Sequence, residues 1–462
     1  MGQQSPWGQA LEHDQIDGGT VIENQWVLWA RITGRTGASA AAAQVAVLNA
    51  GGTIKRRLGL RSDPFQFRGS ATGIEFQASG LAGTLSLREV SIEIIPKFVF
   101  EPELLPIWNT STLFLLEALA GKHVISLLAQ RQQWKAHRVV DLIAHAFADA
   151  AERGLRDQPI HIYRQTEESS VVLRGRLNIA RQAQTIVHAP HLLECDVDHL
   201  DVDNPFNDVL KWAATALAGL ATEASLKERL TGIAHAIPGN AERSVAQRHN
   251  RLVPPPQFQA WSDALELARL LASGMTLSSN GGRTSGYSLL FNMERAFERF
   301  VEVALARVLQ ASGDRELTSS RQAWTTYAEP DFPGGRRLGC RPDNLLRRRG
   351  TPVMVVDAKY KLLDRDLTRA QEETGTPISE DIYELVAGMF AHNCHAGLLI
   401  YPASSLSEAK ASKIRTWRLN VFGTTVRIGA LPVNLLSLGS RTELAELFRV
   451  VGLEITNFIR RH

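Results

Sequence analysis

Cysteines and long apolar stretches are scarce in this chain. Only three of its 462 residues are cysteines, namely Cys195, Cys340 and Cys394. An odd number of widely spaced cysteines does not suit a disulfide scaffold and is usual in a reducing compartment. No apolar run approaches the roughly 18 residues that a membrane-spanning helix needs, and the first residues lack the basic and apolar segments of a signal peptide. We therefore expect a cytoplasmic protein that does not bind membranes.

A strong net charge and a nucleotide-binding motif are also missing. The formal net charge at pH 7 is only +3, so no global positive field marks the chain as a nucleic-acid-binding protein. The segment Gly121-Lys122-His123 lacks the first glycine and the Ser/Thr of the phosphate-binding pattern G-x-x-x-x-G-K-[ST]. We therefore expect that this chain itself hydrolyses no nucleoside triphosphate.

Zinc, calcium and nucleophile sites are not expected either. The segment His392–His395 holds two histidines and a cysteine, but zinc needs four ligands and Cys340 is the one other cysteine near it. The acidic residues between positions 194 and 203 lack the glycine and the closing glutamate of a calcium loop, so we interpret them as a structural acidic loop. We find no convincing Ser/His/Asp or Cys/His arrangement.

The composition is that of an ordinary globular protein, and the length is sufficient for two or three domains. Residues 1–105 are predicted to form a β-rich N-terminal domain, since short apolar runs alternate there with glycine-rich turns. Its predicted strands are Val21–Ile32, Ala43–Leu48, Phe65–Phe76 and Leu85–Ile95. Residues 106–280 are predicted to be mainly helical, with apolar residues at helical spacing from 113 to 147 and Gly154 as a helix C-cap.

Residues 281–462 are predicted to form an α/β domain. A helix is expected over Tyr287–Gln310 and another over Ile378–Ala391, with a buried strand at Gly397–Pro402 after it. Two further strands and a closing helix follow, at Arg415–Val421, Thr424–Leu431 and Arg441–Ile459. The sequence therefore predicts an α+β multidomain protein whose C-terminal part has the order helix, hairpin, strand, helix, strand.

The segment RPDNLLRRRGTPVMVVDAKYK, from Arg341 to Lys361, contains the candidate site. Pro352–Val356 is short, apolar and rich in valine, which indicates a buried strand. Asp357 and Lys359 follow at its polar end, two residues apart, so their side chains leave the same face of the strand. Asp-x-Lys alone is common at solvated strand ends, so the prediction depends on what lies upstream.

Upstream lies Asp343, at the end of the extended segment Leu338–Pro342. The polar residues Arg347–Gly350 between the two segments predict a hairpin turn. A hairpin would place Asp343 beside Asp357 and bring two carboxylates and one ammonium to one edge of a sheet. Two carboxylates can hold Mg²⁺, a metal-bound water is a strong nucleophile, and a lysine can neutralise charge on a phosphate. The pattern therefore indicates phosphodiester hydrolysis.

Basic residues are clustered around this segment. Arg336-Arg337 and Arg347–Arg349 flank it, where they could contact phosphates. The third cluster, Lys55–Arg57, is interpreted as a solvated turn. On the preceding predicted helix, Glu294, Glu298 and Glu302 lie four residues apart, and periodicity does not decide which of them could supply a third carboxylate.

An ordered set of short motifs resembles the McrC family, the nuclease subunits of McrBC-type modification-dependent restriction systems. These motifs are IEIIPK at Ile92–Lys97, Arg153–Leu155, Arg174–Leu177, Asp203–Asn207 with Leu210-Lys211, Phe297–Val301, Arg341–Asp343, Val356–Tyr360 and Leu399–Pro402. They occur in the family's order and extend over nearly the whole chain.

The resemblance implies a PD-(D/E)xK endonuclease that depends on Mg²⁺. It implies that Glu298 is the helix carboxylate, that Asp343, Asp357 and Glu298 bind the metal, and that Lys359 is the catalytic lysine. It also implies a partner, a hexameric ring of AAA+ McrB-like subunits, usually a GTPase. The N-terminal region would insert into that ring as a stalk and stimulate nucleotide hydrolysis. The substrate would be double-stranded DNA carrying modified cytosine, as in type IV defence systems.

One departure from the family pattern lies downstream of the lysine. Family members often carry a glutamine there and a tyrosine four residues later, whereas this chain has Glu384 and Gly388. The departure leaves the metal-binding residues untouched. A hypothesis of another class is a scaffold and activator of a AAA+ ring that does not cleave DNA, and intact Asp343, Asp357 and Lys359 count against it.

Overall fold

The structure is a computed structural model that describes residues 19–35, 37–87, 89–99, 111–112, 115–116, 138–241, 253–280, 283–312, 314–321, 324–331, 334–362, 379–403, 413–421, 423–437 and 441–460. It forms two compact units, one from residues 1–139 with 274–462 and one from 140–273. The predicted N-terminal and C-terminal domains thus contribute to the same unit, while the boundaries at 105 and 280 stay predictions. The helical pattern predicted between 117 and 137 lies outside the described residues.

The strands of the described part are, in chain order, β1 Thr20–Ile22, β2 Val27–Leu28, β3 Phe65–Ser70, β4 Gly73–Ala78, β5 Leu81–Ser86, β6 Ser91–Ile95, β7 Ile162–Ser170, β8 Arg176–Leu177, β9 Leu193–Asp201, β10 Met275–Asn280, β11 Arg283–Asn292, β12 Leu317–Arg321, β13 Thr325–Ala328, β14 Leu338–Cys340, β15 Asn344–Arg348, β16 Thr351–Ala358, β17 Ala396–Pro402, β18 Arg415–Val421 and β19 Thr424–Val433. Its α-helices are α1 Trp29–Thr33, α2 Gly37–Leu58, α3 Val139–Asp157, α4 Ile179–Thr185, α5 Pro205–Leu220, α6 Ala224–Ala236, α7 Ser262–Gly274, α8 Met293–Ser312, α9 Ser379–Ala391 and α10 Arg441–Arg460. In this described part, no helix combines the length and the apolar character that crossing a bilayer would require.

The first unit contains a five-stranded sheet in the order β1-β6-β5-β11-β10. Strand β11 pairs with β5 from Leu289 to Asn292, so the chain just before α8 belongs to the same sheet as the N-terminal strands. The prediction of a helix from Tyr287 is therefore wrong for its first six residues, because cross-strand pairing outweighs the local helical pattern there. Helix α8 itself is confirmed and begins at Met293.

The predicted strand Ala43–Leu48 is wrong, because it lies within helix α2. Alanine is the strongest helix former, and a run of alanines, Ala40–Ala43, leads into this segment within α2. Ala43, Val47, Ile54 and Leu58 are buried on one side of α2, in the core that the small sheet β2-β4-β3 also covers. The predicted strand 21–32 is divided into β1, β2 and α1.

The second sheet of this unit positions the candidate site. Its order is β12-β15-β16-β17-β19-β18, and β16, β17 and β19 run parallel to one another. Helix α9 connects β16 to β17 and packs Leu385 and Met389 into a core with Val355 and Leu399. Helices α8 and α10 meet Ile400, the next residue of β17, on the opposite face. A mixed α/β architecture is confirmed, and strands β12 and β13, which were not predicted, lie between α8 and the hairpin.

The second unit combines helices α3 to α7 with the small sheet β7-β9-β8. Gly154 lies inside α3, not at its C-cap, and the ring of Trp261 packs against it. The acidic residues interpreted as a loop lie largely on β9, where Glu194 pairs with Arg181. Helix α5 begins directly after Asn204, whose side chain accepts hydrogen bonds from the backbone amides of Phe206 and Asn207.

Candidate active site

The hairpin β15–β16 carries the candidate site at its open end. Its turn is Arg349-Gly350, and both residues have positive φ, 51° and 82°, as a two-residue type I′ turn requires. Arg347 and Arg348, predicted in the turn, are instead strand residues paired with β16. The segment predicted as the first strand of the hairpin is also different, since β14 pairs with β13.

Despite this shift, Asp343 lies beside the end of β16. It directly precedes β15, and its Oδ2 accepts a hydrogen bond of 2.9 Å from the backbone amide of Ala358. Burial, followed by the nearby charges of Asp357 and Glu298, raises the pKa of Asp343 to about 8. The predicted proximity of the two aspartates is therefore present, and they repel each other when both are ionised.

Lys359 lies against the same carboxylates. Its Nζ is 2.8 Å from Oδ2 of Asp357, and it also forms an ion pair with Glu384 of α9. Its backbone amide donates to the carbonyl of Ile400 at 2.8 Å, which fixes the chain at this point. Burial acts to lower the pKa of Lys359, but the two carboxylates outweigh it and raise that pKa above its ordinary value. Lys359 is therefore a cation at neutral pH.

Of the three glutamates on α8, Glu298 is the one coupled to this group. Burial raises the pKa of Glu298, and the charges of Glu294 and Asp357 add to that rise. Glu294 lies 3.4 Å from Arg61, and Glu302 pairs with Arg299 and Arg321. Helical periodicity does not distinguish the three glutamates, whereas the packing of α8 places Glu298 beside Asp343.

Glu298 and Asp343 line an open cleft of about 520 Å³. Its walls come from the end of α2, the start of α8, β12 and β15, and its lining residues are Leu58, Gly59, Arg61, Asn292, Glu294, Arg295, Glu298, Arg299, Glu302, Arg321, Asp343 and Asn344. The basic cluster Lys55–Arg57, interpreted as a solvated turn, instead forms part of the last turn of α2. The residues that follow it, Leu58, Gly59 and Arg61, form part of the wall of the cleft. Asn292 fixes this junction, since its Nδ2 donates to the carbonyl of Leu58 and its Oδ1 accepts from the amide of Arg295.

The donor set suits a hard divalent cation. Within the residues that the structure describes, no group of three or more His, Cys, Asp or Glu side chains is arranged as a ready metal cage. Mg²⁺ does not need one, because it is usually held by one or two carboxylates, retained waters and substrate phosphates. Burial and then the charges of Asp357 and Glu298 raise the pKa of Asp343, and a cation bound between the carboxylates would relieve both effects. These residues therefore fit Mg²⁺.

Two buried carboxylates anchor the chain just after Lys359, and neither was predicted from the sequence. The hydroxyl of Tyr360 donates to Oε2 of Glu23 at 2.9 Å, and Glu23 also accepts from the amides of Gly80 and Lys97. Lys361 pairs at 2.7 Å with Asp381, a residue with 1 % of its surface exposed. In the sequence, Glu23 could have been noticed only because it is a charged residue within an apolar run near the N-terminus.

A family model described as McrBC 5-methylcytosine restriction system component matches residues 76–402. No curated protein sequence registers as a relative. A chain in the half-complex from the tetradecameric assembly of Thermococcus gammatolerans McrB AAA+ hexamers with bound McrC superposes with a TM-score of 0.64 and 17% identity, over 95% of this chain and 99% of that one.

A second structural match comes from the cryo-EM structure of the Thermococcus gammatolerans McrBC complex. It has a TM-score of 0.45 and 18% identity, and it covers 63% of this chain and 87% of that chain. At such identities, the first match establishes a shared fold over nearly the full length of both chains.

Proposed function

This chain belongs to the family of the McrBC 5-methylcytosine restriction system component, and from that premise we propose that it is the Mg²⁺-dependent DNA endonuclease subunit of a McrBC-type system. The observation that supports this most is the convergence of Asp343, Asp357 and Lys359 at the open end of the hairpin β15–β16, beside a cleft that Glu298 also lines. We assign this part of the chain to the PD-(D/E)xK nucleases on the same ground.

The side chains have distinct proposed roles. Asp343 and Asp357 would hold the metal, and Glu298, behind them on α8, would complete or support the site. Bound Mg²⁺ would lower the pKa of a coordinated water and offset the charge on the phosphate. Lys359 is held as a cation by Asp357 and Glu384, so its role is to donate to a phosphate oxygen or the attacking water and stabilise negative charge, not to accept a proton.

The proposed partner is a AAA+ McrB-like NTPase hexamer. The family resemblance implies that this partner is a GTPase. The Thermococcus gammatolerans structure is described as McrB AAA+ hexamers with bound McrC, and this chain shares its fold with a chain of that assembly. We propose that the N-terminal part engages the ring and stimulates nucleotide hydrolysis, and that the substrate is double-stranded DNA with modified cytosine. A cytoplasmic location remains part of this proposal.

The test is a paired cleavage assay with Mg²⁺ and either methylated or unmodified DNA. Wild type and Asp357→Ala are compared in the presence and in the absence of the AAA+ partner and its nucleotide. Asp63→Ala is the matched control, since Asp63 is an exposed aspartate paired with Lys55. We expect cleavage of methylated DNA by wild type and the control, only with partner and nucleotide, and none by Asp357→Ala, which still stimulates the partner's hydrolysis.

Two results would contradict this proposal in different ways. Full cleavage by Asp357→Ala would show that the assigned site is wrong and that the nuclease site lies elsewhere in the chain. A wild type that never cuts DNA but accelerates the partner's nucleotide hydrolysis would instead support the scaffold and activator hypothesis.

A further inference from the structure

Asn344 lies in the cleft directly after Asp343. It is the first residue of β15 and pairs with Val356 of β16 on one side and Arg321 of β12 on the other. Leu345, the next residue, packs into the core with α9. Because successive side chains of a strand point to opposite faces, Asn344 points to the face covered by α8, where the cleft lies.

The amide group of Asn344 is buried without a protein partner. Only 1 % of the residue's surface is exposed, and neither Oδ1 nor Nδ2 has a hydrogen-bond partner among the described residues. Buried polar atoms in proteins nearly always have a partner, because an unsatisfied one loses its hydration without compensation. An amide left open in this way, inside a cleft, indicates that its partner is a molecule bound there.

Asn207 shows what a structural asparagine looks like in the same protein. It is fully buried, and its Nδ2 donates at 2.8 Å to the carbonyls of both Ile160 and Val202. Its Oδ1 accepts from the amide of Ile160 at 3.3 Å. Both polar atoms of Asn207 thus stabilise the fold, whereas those of Asn344 contribute no protein contact in the described structure.

We propose that Asn344 is a substrate-binding residue whose Nδ2 donates to a non-bridging phosphate oxygen of the DNA backbone. This inference rests on the proposed nuclease function. Its surroundings favour a phosphate, since Arg299 and Arg321 line the same cleft and Asp343, a proposed metal ligand, precedes it. A large share of protein–DNA hydrogen bonds end on phosphate and sugar oxygens, and asparagine is among their usual donors. A neutral amide adds such a bond without adding charge.

The experiment compares Asn344→Leu with Asn207→Leu in the full-length protein, with the AAA+ partner present for cleavage. Leucine has a similar size and removes both polar atoms. We expect the thermal midpoint of Asn344→Leu to equal or exceed that of wild type, since an unsatisfied pair of atoms is removed. We expect its rate of DNA cleavage to fall about ten-fold, as the loss of about 1.4 kcal/mol of binding to the phosphate implies. Asn207→Leu should lower the thermal midpoint.

DNA binding separates this role from a general electrostatic one. With Ca²⁺ replacing Mg²⁺ to suppress cleavage, Asn344→Leu should weaken binding of a DNA duplex while leaving the slope of log K against log salt unchanged, since no charge is lost. Asn344→Asp keeps the shape but adds a negative charge, so it should weaken binding further. This second variant also covers the case in which leucine fails to fold.

Several outcomes would overturn the inference. Wild-type cleavage and binding by both variants would mean that Asn344 holds a structural water only. A thermal midpoint lowered as much as in Asn207→Leu, with normal cleavage by the folded fraction, would give Asn344 a purely structural role. If wild type itself neither binds nor cuts DNA, the proposed function fails as well. If it binds without cutting, the binding assay alone decides on Asn344.

Discussion

The carboxylate of Glu384 forms an ion pair with the ammonium of Lys359. Glu384 is the position at which this sequence departs from the glutamine that its family resemblance leads one to expect. The ion pair places that departure at the candidate site and gives Lys359 two negative partners, Asp357 and Glu384. Both raise the pKa of Lys359, and both would compete with a substrate phosphate for its charge.

Glu384→Gln should therefore raise the DNA cleavage rate. Glutamine has the same shape and can still accept a hydrogen bond, but it no longer neutralises the Lys359 ammonium. We expect a gain of a few fold, since the Glu384 side chain is 64% exposed and solvent screens much of its charge. The measurement is single-turnover cleavage with saturating partner and Mg²⁺.

Glu380→Gln is the matched control for this prediction, because Glu380 is an exposed glutamate on the first turn of α9. It should leave the cleavage rate unchanged. A ten-fold loss of cleavage in Glu384→Gln alone would show that the carboxylate itself takes part in the reaction.

Much of the C-terminal sheet could be predicted from local pattern. Strands β16 and β17 are continuous apolar runs because they are buried between layers of helices, and such runs indicate parallel strands. Helix α2 could not be recognised in the same way, since Val45, Val47 and Leu48 also fit a short apolar strand. Strand β11 depends on pairing with β5, some 200 residues away, and no window of sequence contains that information.

Gly154 is required by tertiary packing and not by a helix C-cap. We expect Gly154→Ala to lower the thermal midpoint, because a β-carbon there would overlap the ring of Trp261, which is fully buried. Overpacking of this kind costs about 1–3 kcal/mol. Gly232→Ala on helix α6 is the control, since nothing lies within 4 Å of its added β-carbon. That variant should raise the thermal midpoint slightly, because alanine favours helix by up to about 1 kcal/mol. Equal effects in the two variants would contradict the packing argument.

Some residues of the candidate site could be recognised from the local sequence, and others only from the folded structure. Asp357 and Lys359 could be found because they lie at the polar end of a recognisable strand, and Asp343 because a hairpin turn was predicted between it and Asp357. Glu23 could not be assigned a role, since its contact with Tyr360 joins residues 337 positions apart. The unpartnered amide of Asn344 is likewise visible only once the cleft around it is known.

Tyr360→Phe tests whether Glu23 positions Lys359. The variant removes one hydroxyl and keeps the ring, which lies 6.0 Å from that of Phe297 and beneath the ammonium of Lys97. Loss of a buried hydrogen bond to a carboxylate should cost about 2 kcal/mol of stability. We also expect a several-fold lower maximal cleavage rate with unchanged apparent affinity for DNA, because Lys359 is less firmly held. Tyr383→Phe, at a tyrosine that is 70% exposed, is the control. An unchanged cleavage rate would limit Glu23 to a structural role.

Asp343 should make the metal-free protein less stable as the pH rises. Its pKa is raised from about 3.8 to about 8 on folding, mainly by burial and by Asp357. Between these values the folded state binds more protons than the unfolded state, so the free energy of unfolding falls with increasing pH. In chelator, Asp343→Asn should therefore match wild type near pH 4 and exceed it near pH 8, by on the order of a few kcal/mol. Thermal midpoints across this range measure the difference, with Asp63→Asn as the exposed control.

Adding Mg²⁺ at pH 8 should stabilise wild type and have little effect on Asp343→Asn, because the cation replaces the proton between the two carboxylates. The same pH slope in wild type and Asp343→Asn would show that Asp343 is not the group that crowds negative charge at this site.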